Sequence, residues 1–259
     1  MTGKLQHNKS SKATLKQPPG QSRTIFSDVR YFLLSNPPIK TLVRLEKEKD
    51  RQQYIRRILQ RTGIGMDKYR MLNIHQIGVE APASYLFEEL LRWNGDSSCW
   101  PNHIAKLTLL DNSLSKIRVS LFGYSNRIFG MKNRIFGDHF LQLFNLDAIH
   151  IKRIPDPSDN DNARYLLYKC SGGYPIGIFC MYVRSSIPDR GEKELSQLFI
   201  LVGFNFYGKE VLSGVTLINK IWEGIHNRVT TNIANRLKQL SEWRFETIQN
   251  PERQQTGSV

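Results

Sequence analysis

VLSGVTLINKIWEGIHNRVTTNIANRLKQL, residues Val211 to Leu240, places apolar side chains at Val211, Val215, Ile218, Trp222, Ile225, Val229, Ile233, Leu237 and Leu240. The steps between them are all of three or four residues, which is helical period held for roughly eight turns. The other face reads as polar: Asn219, Glu223, Asn227, Thr230, Thr231 and Lys238. A helix this long with one apolar stripe needs a broad apolar surface to lie on. The stretch just before it, LFILVGFNFYG (Leu198 to Gly208), supplies a strand that can belong to such a surface.

Working back from that strand, Leu198, Ile200, Val202, Phe204 and Phe206 alternate with Phe199, Leu201, Gly203 and Asn205. Large apolar residues fall on both sides of the pleat, so the strand is expected to be covered on both faces. Further strands are expected over Met71–Val79, Ile104–Leu110, Lys116–Phe122, Leu141–Ile154, Ala163–Cys170, Gly173–Ser185 and Glu194–Tyr207. Asp111-Asn112-Ser113, Pro155 to Asn162, Ser171-Gly172-Gly173 and Pro188 to Gly191 supply the turns. Glu80 to Trp93 reads as a short helix with Pro82 in its first turn. Ile39 to about Ile64 reads as a charged helix that covers the sheet, broken by Gly63 and Gly65. NRIFG occurs at Asn126 and again at Asn133, an offset too short for a repeat unit, and reads as a wide loop.

The 259 residues suffice for one sizeable core plus extensions. Net charge is +14, but residues 1–70 hold 16 Lys/Arg against 5 Asp/Glu and the other 189 hold 21 against 18. The charge is therefore a basic arm rather than a basic binding face. Four segments are expected: a disordered basic tail over 1–24, a helical extension over 25–66, a folded domain over 67–247 and a flexible tail over 248–259. No run of apolar residues reaches membrane-spanning length and no secretory leader is recognisable, so a cytoplasmic location is expected. The three cysteines (Cys99, Cys170, Cys180) form no CxxC pair and read as reduced, with Cys170 and Cys180 as buried small residues.

Several chemistries find no motif. The six histidines (His7, His75, His103, His139, His150, His226) make no HExxH, no HxH and no pairing with Cys at metal spacing. No metal or cofactor is therefore expected. GxGxxG, Walker and GxSxG spacings are absent from the sequence. Glu88 and Glu89 are neighbours on a helix, so their side chains are expected to diverge.

The element order resembles the helix-grip fold of the START/Bet v 1-like (SRPBCC) superfamily, an α+β class. A curved antiparallel sheet of about six or seven strands wraps the C-terminal helix. Three pieces carry the resemblance: VEAPASYLFEELL after the first strand, Trp100-Pro101-Asn102-His103, and FNFYG running into the long helix. The resemblance covers about 68–246. It implies a largely apolar cavity between sheet and helix, the usual form of a small-molecule site. Candidate lining residues are Trp100, Phe140, Phe144, Tyr174, Phe179, Phe204, Phe206, Ile218 and Trp222. Asn205 and Gln197 are the expected polar groups, and His75 or His103 is the candidate general base.

Three functions follow. The first is non-catalytic binding of a hydrophobic small molecule or lipid. The second is a cyclase/dehydratase-like reaction in the same cavity, with His75, His103 or Asn205 assisting proton transfer. The third is a scaffold docked weakly on an anionic partner, nucleic acid or membrane surface, through residues 1–61.

Overall fold

The computed structural model describes residues 37–44, 47–66, 69, 71–92, 105–111, 114–121, 142–154, 162–171, 176–186, 195–204 and 216–249. Three helices and seven strands follow in chain order: α1 (Glu48–Thr62), β1 (Met71–Val79), α2 (Ala83–Leu91), β2 (Ala105–Leu109), β3 (Lys116–Leu121), β4 (Gln142–Lys152), β5 (Arg164–Ser171), β6 (Ile176–Ser185), β7 (Ser196–Phe204) and α3 (Thr216–Gln249). The strands form one antiparallel sheet in the order β1-β7-β6-β5-β4-β3-β2. β1 and β2 are consecutive strands at opposite edges, and α2 lies on the path between them. The register shifts at Val119/Ser120, Ala148/His150 and Ile176/Ile178. Such irregularities bend a strand and let a sheet curve around a helix. This is the α+β helix-grip arrangement that the order of elements implied.

The sheet has two covered faces. On the inner face, α2 and α3 pack through Leu86, Phe87, Leu90, Ile233, Ala234 and Leu237. These meet Ile77 and Val79 of β1, Leu198 to Phe204 in alternation on β7, and Met181 and Val183 of β6. On the outer face, Ile55 and Ile58 of α1, with Met66 and Tyr69, cover Ile74, Phe199, Leu201, Cys180, Tyr182 and Leu167. The two apolar sides of β7 thus find two partners, and the N-terminal helix is the outer cover.

Two expectations about this cover change. The helix anticipated from Ile39 begins only at Glu48, and residues 39–43 are not helical. The segment adds a short rung beyond β1: Val43 N–H donates to Ile74 O at 2.8 Å, Gln76 N–H donates to Thr41 O at 2.8 Å, and Leu42 bridges His75. An edge strand that would otherwise expose its backbone groups is thereby covered. α1 ends at Gly63, whose φ of 72° lets its N–H close on Leu59 O at 2.8 Å.

The second change concerns α3. Asn227, Thr230 and Thr231 were expected on a solvent face, yet Thr230 and Thr231 are buried along with Asn235, whereas Ile225 of the apolar stripe is 41% exposed. The reason is the 39–43 segment, which lies against this side of the helix and offers hydrogen-bonding backbone rather than an apolar surface. Asn235 holds it in both directions: its Nδ2 donates to Ile39 O at 2.9 Å, and Ile39 N–H donates to its Oδ1 at 3.2 Å.

Candidate functional site

Strand alternation and register decide which side chains share the inner face. Asn73 of β1 pairs with Val202 of β7, Val202 with Phe179 of β6, Phe179 with Tyr168 of β5, and Tyr168 with Ala148 of β4. This row crosses five strands on the face that carries α2 and α3. The next row runs His75, Ile200, Met181 and Leu166. Phe204 lies two residues beyond Val202, fully buried, and stacks on His226 of α3 with ring centroids 5.0 Å apart. Apolar groups dominate, and Asn73, His75 and Tyr168 are the polar members of these rows.

Their environments differ. The His75 ring is 1% exposed. Its Nδ1 lies 2.9 Å from the Thr41 hydroxyl and its Nε2 lies 3.2 Å from Asn227 Oδ1. The Thr41 hydroxyl also lies 3.0 Å from Thr231 Oγ1. Burial lowers the His75 pKa from 6.5 to about 4, opposed by the bond to Asn227. The ring is neutral at ordinary pH, with both nitrogens engaged by protein groups. Burial also raises the Tyr168 phenol, so it stays protonated.

Asn73 is different. It is 4% exposed, and its amide Nδ2 is wholly buried with no hydrogen-bond partner among the described residues. A buried amide donor left unpaired costs roughly 1–3 kcal/mol, and buried polar groups in folded proteins are nearly always satisfied.

Of the residues named from sequence, the structure brings Phe179, Phe204 and His75 to this inner face. Phe144 pairs with Val119 in the β3–β4 ladder, and Ile218 and Trp222 lie in the first turns of α3. Trp100, His103, Phe140, Tyr174, Asn205 and Phe206 lie outside the described residues. Gln197 does not reach the inner face: it shares the outer parity of Phe199, and its Oε1 accepts from Arg184 Nε at 3.0 Å and Nη2 at 2.7 Å. Glu88 and Glu89 do not diverge either. Both reach Arg244 of α3, Glu88 through Nη1 at 3.4 Å and Glu89 through Nη2. The Cys170 and Cys180 thiols are pushed up to about 12 by burial, so neither is a thiolate.

Asn73, Tyr168 and Thr41 escaped the reading of the sequence. The alternation in MLNIHQIGV places Asn73 with His75, Ile77 and Val79, and that was the available signal. No group of three or more His, Cys, Asp and Glu side chains among the described residues is placed to hold a metal. No described helix is long and apolar enough to cross a membrane.

No family model matches the chain, and no curated protein matches it. Solved structures do. The Zhui aromatase/cyclase from Streptomyces sp. R1128 is 16% identical with a TM-score of 0.42, over 67% of this chain and 94% of that one. A START superfamily protein from Mycobacterium smegmatis is 12% identical with a TM-score of 0.36, over 68% and 98%. Norcoclaurine synthase from Thalictrum flavum, solved with dopamine and hydroxybenzaldehyde, is 13% identical with a TM-score of 0.38, over 68% and 87%.

Proposed function

We propose that this chain binds a hydrophobic small molecule or lipid between the inner face of the sheet and α3, without chemical turnover. The ligand lies along the row Asn73, Val202, Phe179 and Tyr168, and an oxygen of the ligand accepts the hydrogen bond that Asn73 Nδ2 lacks. The unpaired, buried Nδ2 is the observation that carries this reading. A mostly apolar concavity with one placed polar group is what orients a small ligand.

Binding is favoured over proton transfer by the state of His75. A general base near neutral pH needs a free nitrogen and a pKa near 7. His75 has both nitrogens hydrogen-bonded within the protein and a pKa lowered to about 4.

Native mass spectrometry on the freshly purified protein, followed by organic extraction, tests the proposal. An apolar adduct is expected on the wild type and at least about tenfold less on Asn73→Leu, the value of a lost hydrogen bond of about 1.4 kcal/mol. An adduct retained in full by Asn73→Leu would remove Asn73 from the site. A wild type that carries no adduct and takes up no fatty acid or polycyclic aromatic probe to saturation would sink the proposal.

A further inference from the structure

The inner face is closed in two different ways. Along α2 it is closed by buried apolar side chains, Leu86 and Leu90 meeting Ile233 and Leu237 of α3. Along the edge of β1 that β7 leaves unpaired, it is closed by residues 39–43, which fill the seam between that edge and α3. Val43 N–H donates to Ile74 O and Gln76 N–H donates to Thr41 O, each at 2.8 Å. On the helix side, Ile39 exchanges two hydrogen bonds with the Asn235 side chain. The Thr41 hydroxyl reaches both elements, lying 2.9 Å from His75 Nδ1 and 3.0 Å from Thr231 Oγ1.

This second closure is polar. Of residues 37–44, Thr41 alone is buried, and Ile39 and Leu42 are exposed. The helix surface under the segment carries Thr231 and Asn235. Lifting the segment therefore uncovers hydroxyls, amides and a strand edge, all of which water can hydrogen-bond. Exchanging such a bond for bonds to water shifts an equilibrium by only roughly fivefold. Opening along α2 would instead expose the apolar core. Segments with few buried apolar contacts are the ones that open locally without global unfolding. Val43 differs from its neighbours, because it packs with Ile55 and Ile58 of α1 on the outer face. It supplies a pivot. Behind Thr41 lies His75, and two residues along the same face of β1 lies Asn73.

We propose that residues 39–42 are a side gate to the inner site. They swing about Val43, out of the seam between β1 and α3, while α1 stays docked through Ile55 and Ile58. A ligand then enters past His75 towards Asn73. The gate's role rests on the reading of the inner face as a ligand site; the detachment itself does not.

Amide hydrogen exchange on the full-length protein follows the detachment without any ligand. The Ile39 and Gln76 amides are expected to exchange at least about a hundredfold faster than the amides of β7, which is paired on both sides. Asn235→Ala, which removes both bonds to Ile39, is expected to speed exchange at Gln76 about tenfold more. Protection of Gln76 equal to that of β7 overturns the proposal.

The uptake rate of a fluorescent fatty acid tests the passage. Thr41→Cys with Thr231→Cys, in a Cys99→Ser background, puts two sulfurs where the hydroxyls lie 3.0 Å apart, within reach of a disulfide. The oxidised form is expected to take up and release the probe at least about tenfold more slowly than the same protein reduced. Equal rates in the two forms overturn the gate and leave the inner site standing. A wild type that takes up no probe overturns the inner-site reading and the gate with it. Where the cross-link does not form, Asn235→Ala takes its place: uptake about tenfold faster than wild type supports the gate, and an unchanged rate overturns it.

Discussion

His75 of β1 and Thr41 meet at 2.9 Å in a site from which water is excluded, although one belongs to the sheet and the other to the segment that precedes α1. The contact ties that segment to the sheet edge. Through Thr231 and Asn227 it also ties both to α3. Edge, strap and helix are thus joined by one imidazole that must stay neutral.

That requirement sets a pH dependence. The His75 pKa falls from 6.5 to about 4 on folding, so between these values the unfolded chain binds a proton that the folded chain does not. Stability is fully retained above pH ~6.5 and drops as pH falls through the window, by on the order of 3 kcal/mol at its lower end. Urea unfolding at pH 7 and near pH 4.5 measures it. His75→Gln is expected to flatten that part of the profile; an unchanged slope in the variant would show that other groups cause it.

Asn73→Leu is expected to stabilise the ligand-free protein by about 1 kcal/mol, because it replaces an unsatisfied buried amide with an apolar side chain of similar size. The same change is expected to weaken ligand retention. Opposite signs in the two measurements distinguish a binding residue from a structural one. A destabilised Asn73→Leu protein would mean that the amide is satisfied after all.

Tyr69 lies flat across two adjacent strands at the positions where they carry Gly177 and Gly203. A Cβ on Gly203 would come within 2.8 Å of Met66 Cε and 2.9 Å of Tyr69 Cδ2, and one on Gly177 would strike the Tyr69 ring. Gly177→Ala is expected to cost about 1–3 kcal/mol by lifting this ring. In the Tyr69→Ala background the further cost of Gly177→Ala should largely vanish. A double-mutant cycle by chemical denaturation checks this.

Arg244 holds two adjacent carboxylates of α2. Burial raises the Glu89 pKa, opposed chiefly by Arg244. Arg244→Met leaves a buried carboxylate without its counter-ion and is expected to cost about 3 kcal/mol or more at pH 7. Because the Glu89 pKa is raised on folding, that cost should shrink as pH falls and the carboxyl protonates. Glu89→Gln, which leaves Arg244 with Glu88, should cost less than Arg244→Met. The reverse order in thermal or urea unfolding would refute this account.

Much of the architecture was legible along the chain. Met71–Val79 was read with its observed bounds, the other strands to within a few residues, and the long helix as one continuous element, because period and turn residues are local signals. The doubly apolar pattern of β7 announced two covers, and both are present. The helix start at Glu48 was missed, since residues 39–43 take their conformation from pairing with β1 rather than from their own sequence. Of the site, Phe179, Phe204 and His75 were legible as large or titratable groups in strands. Asn73 was not, because one amide in a strand does not reveal whether a partner lies within reach.

The sequence by itself determined the elements, their order, their apolar faces and the basic character of the N-terminal quarter. These depend on spacings within about ten residues of one another. Only the tertiary structure decided which polar groups are buried, what they meet and which are left unpaired. Thr41 meets Thr231 across 190 positions, and Ile39 meets Asn235 across 196. The polar row of α3 belongs to the interior because a distant segment brings hydrogen-bonding backbone to it, and periodicity within the helix holds no record of that partner.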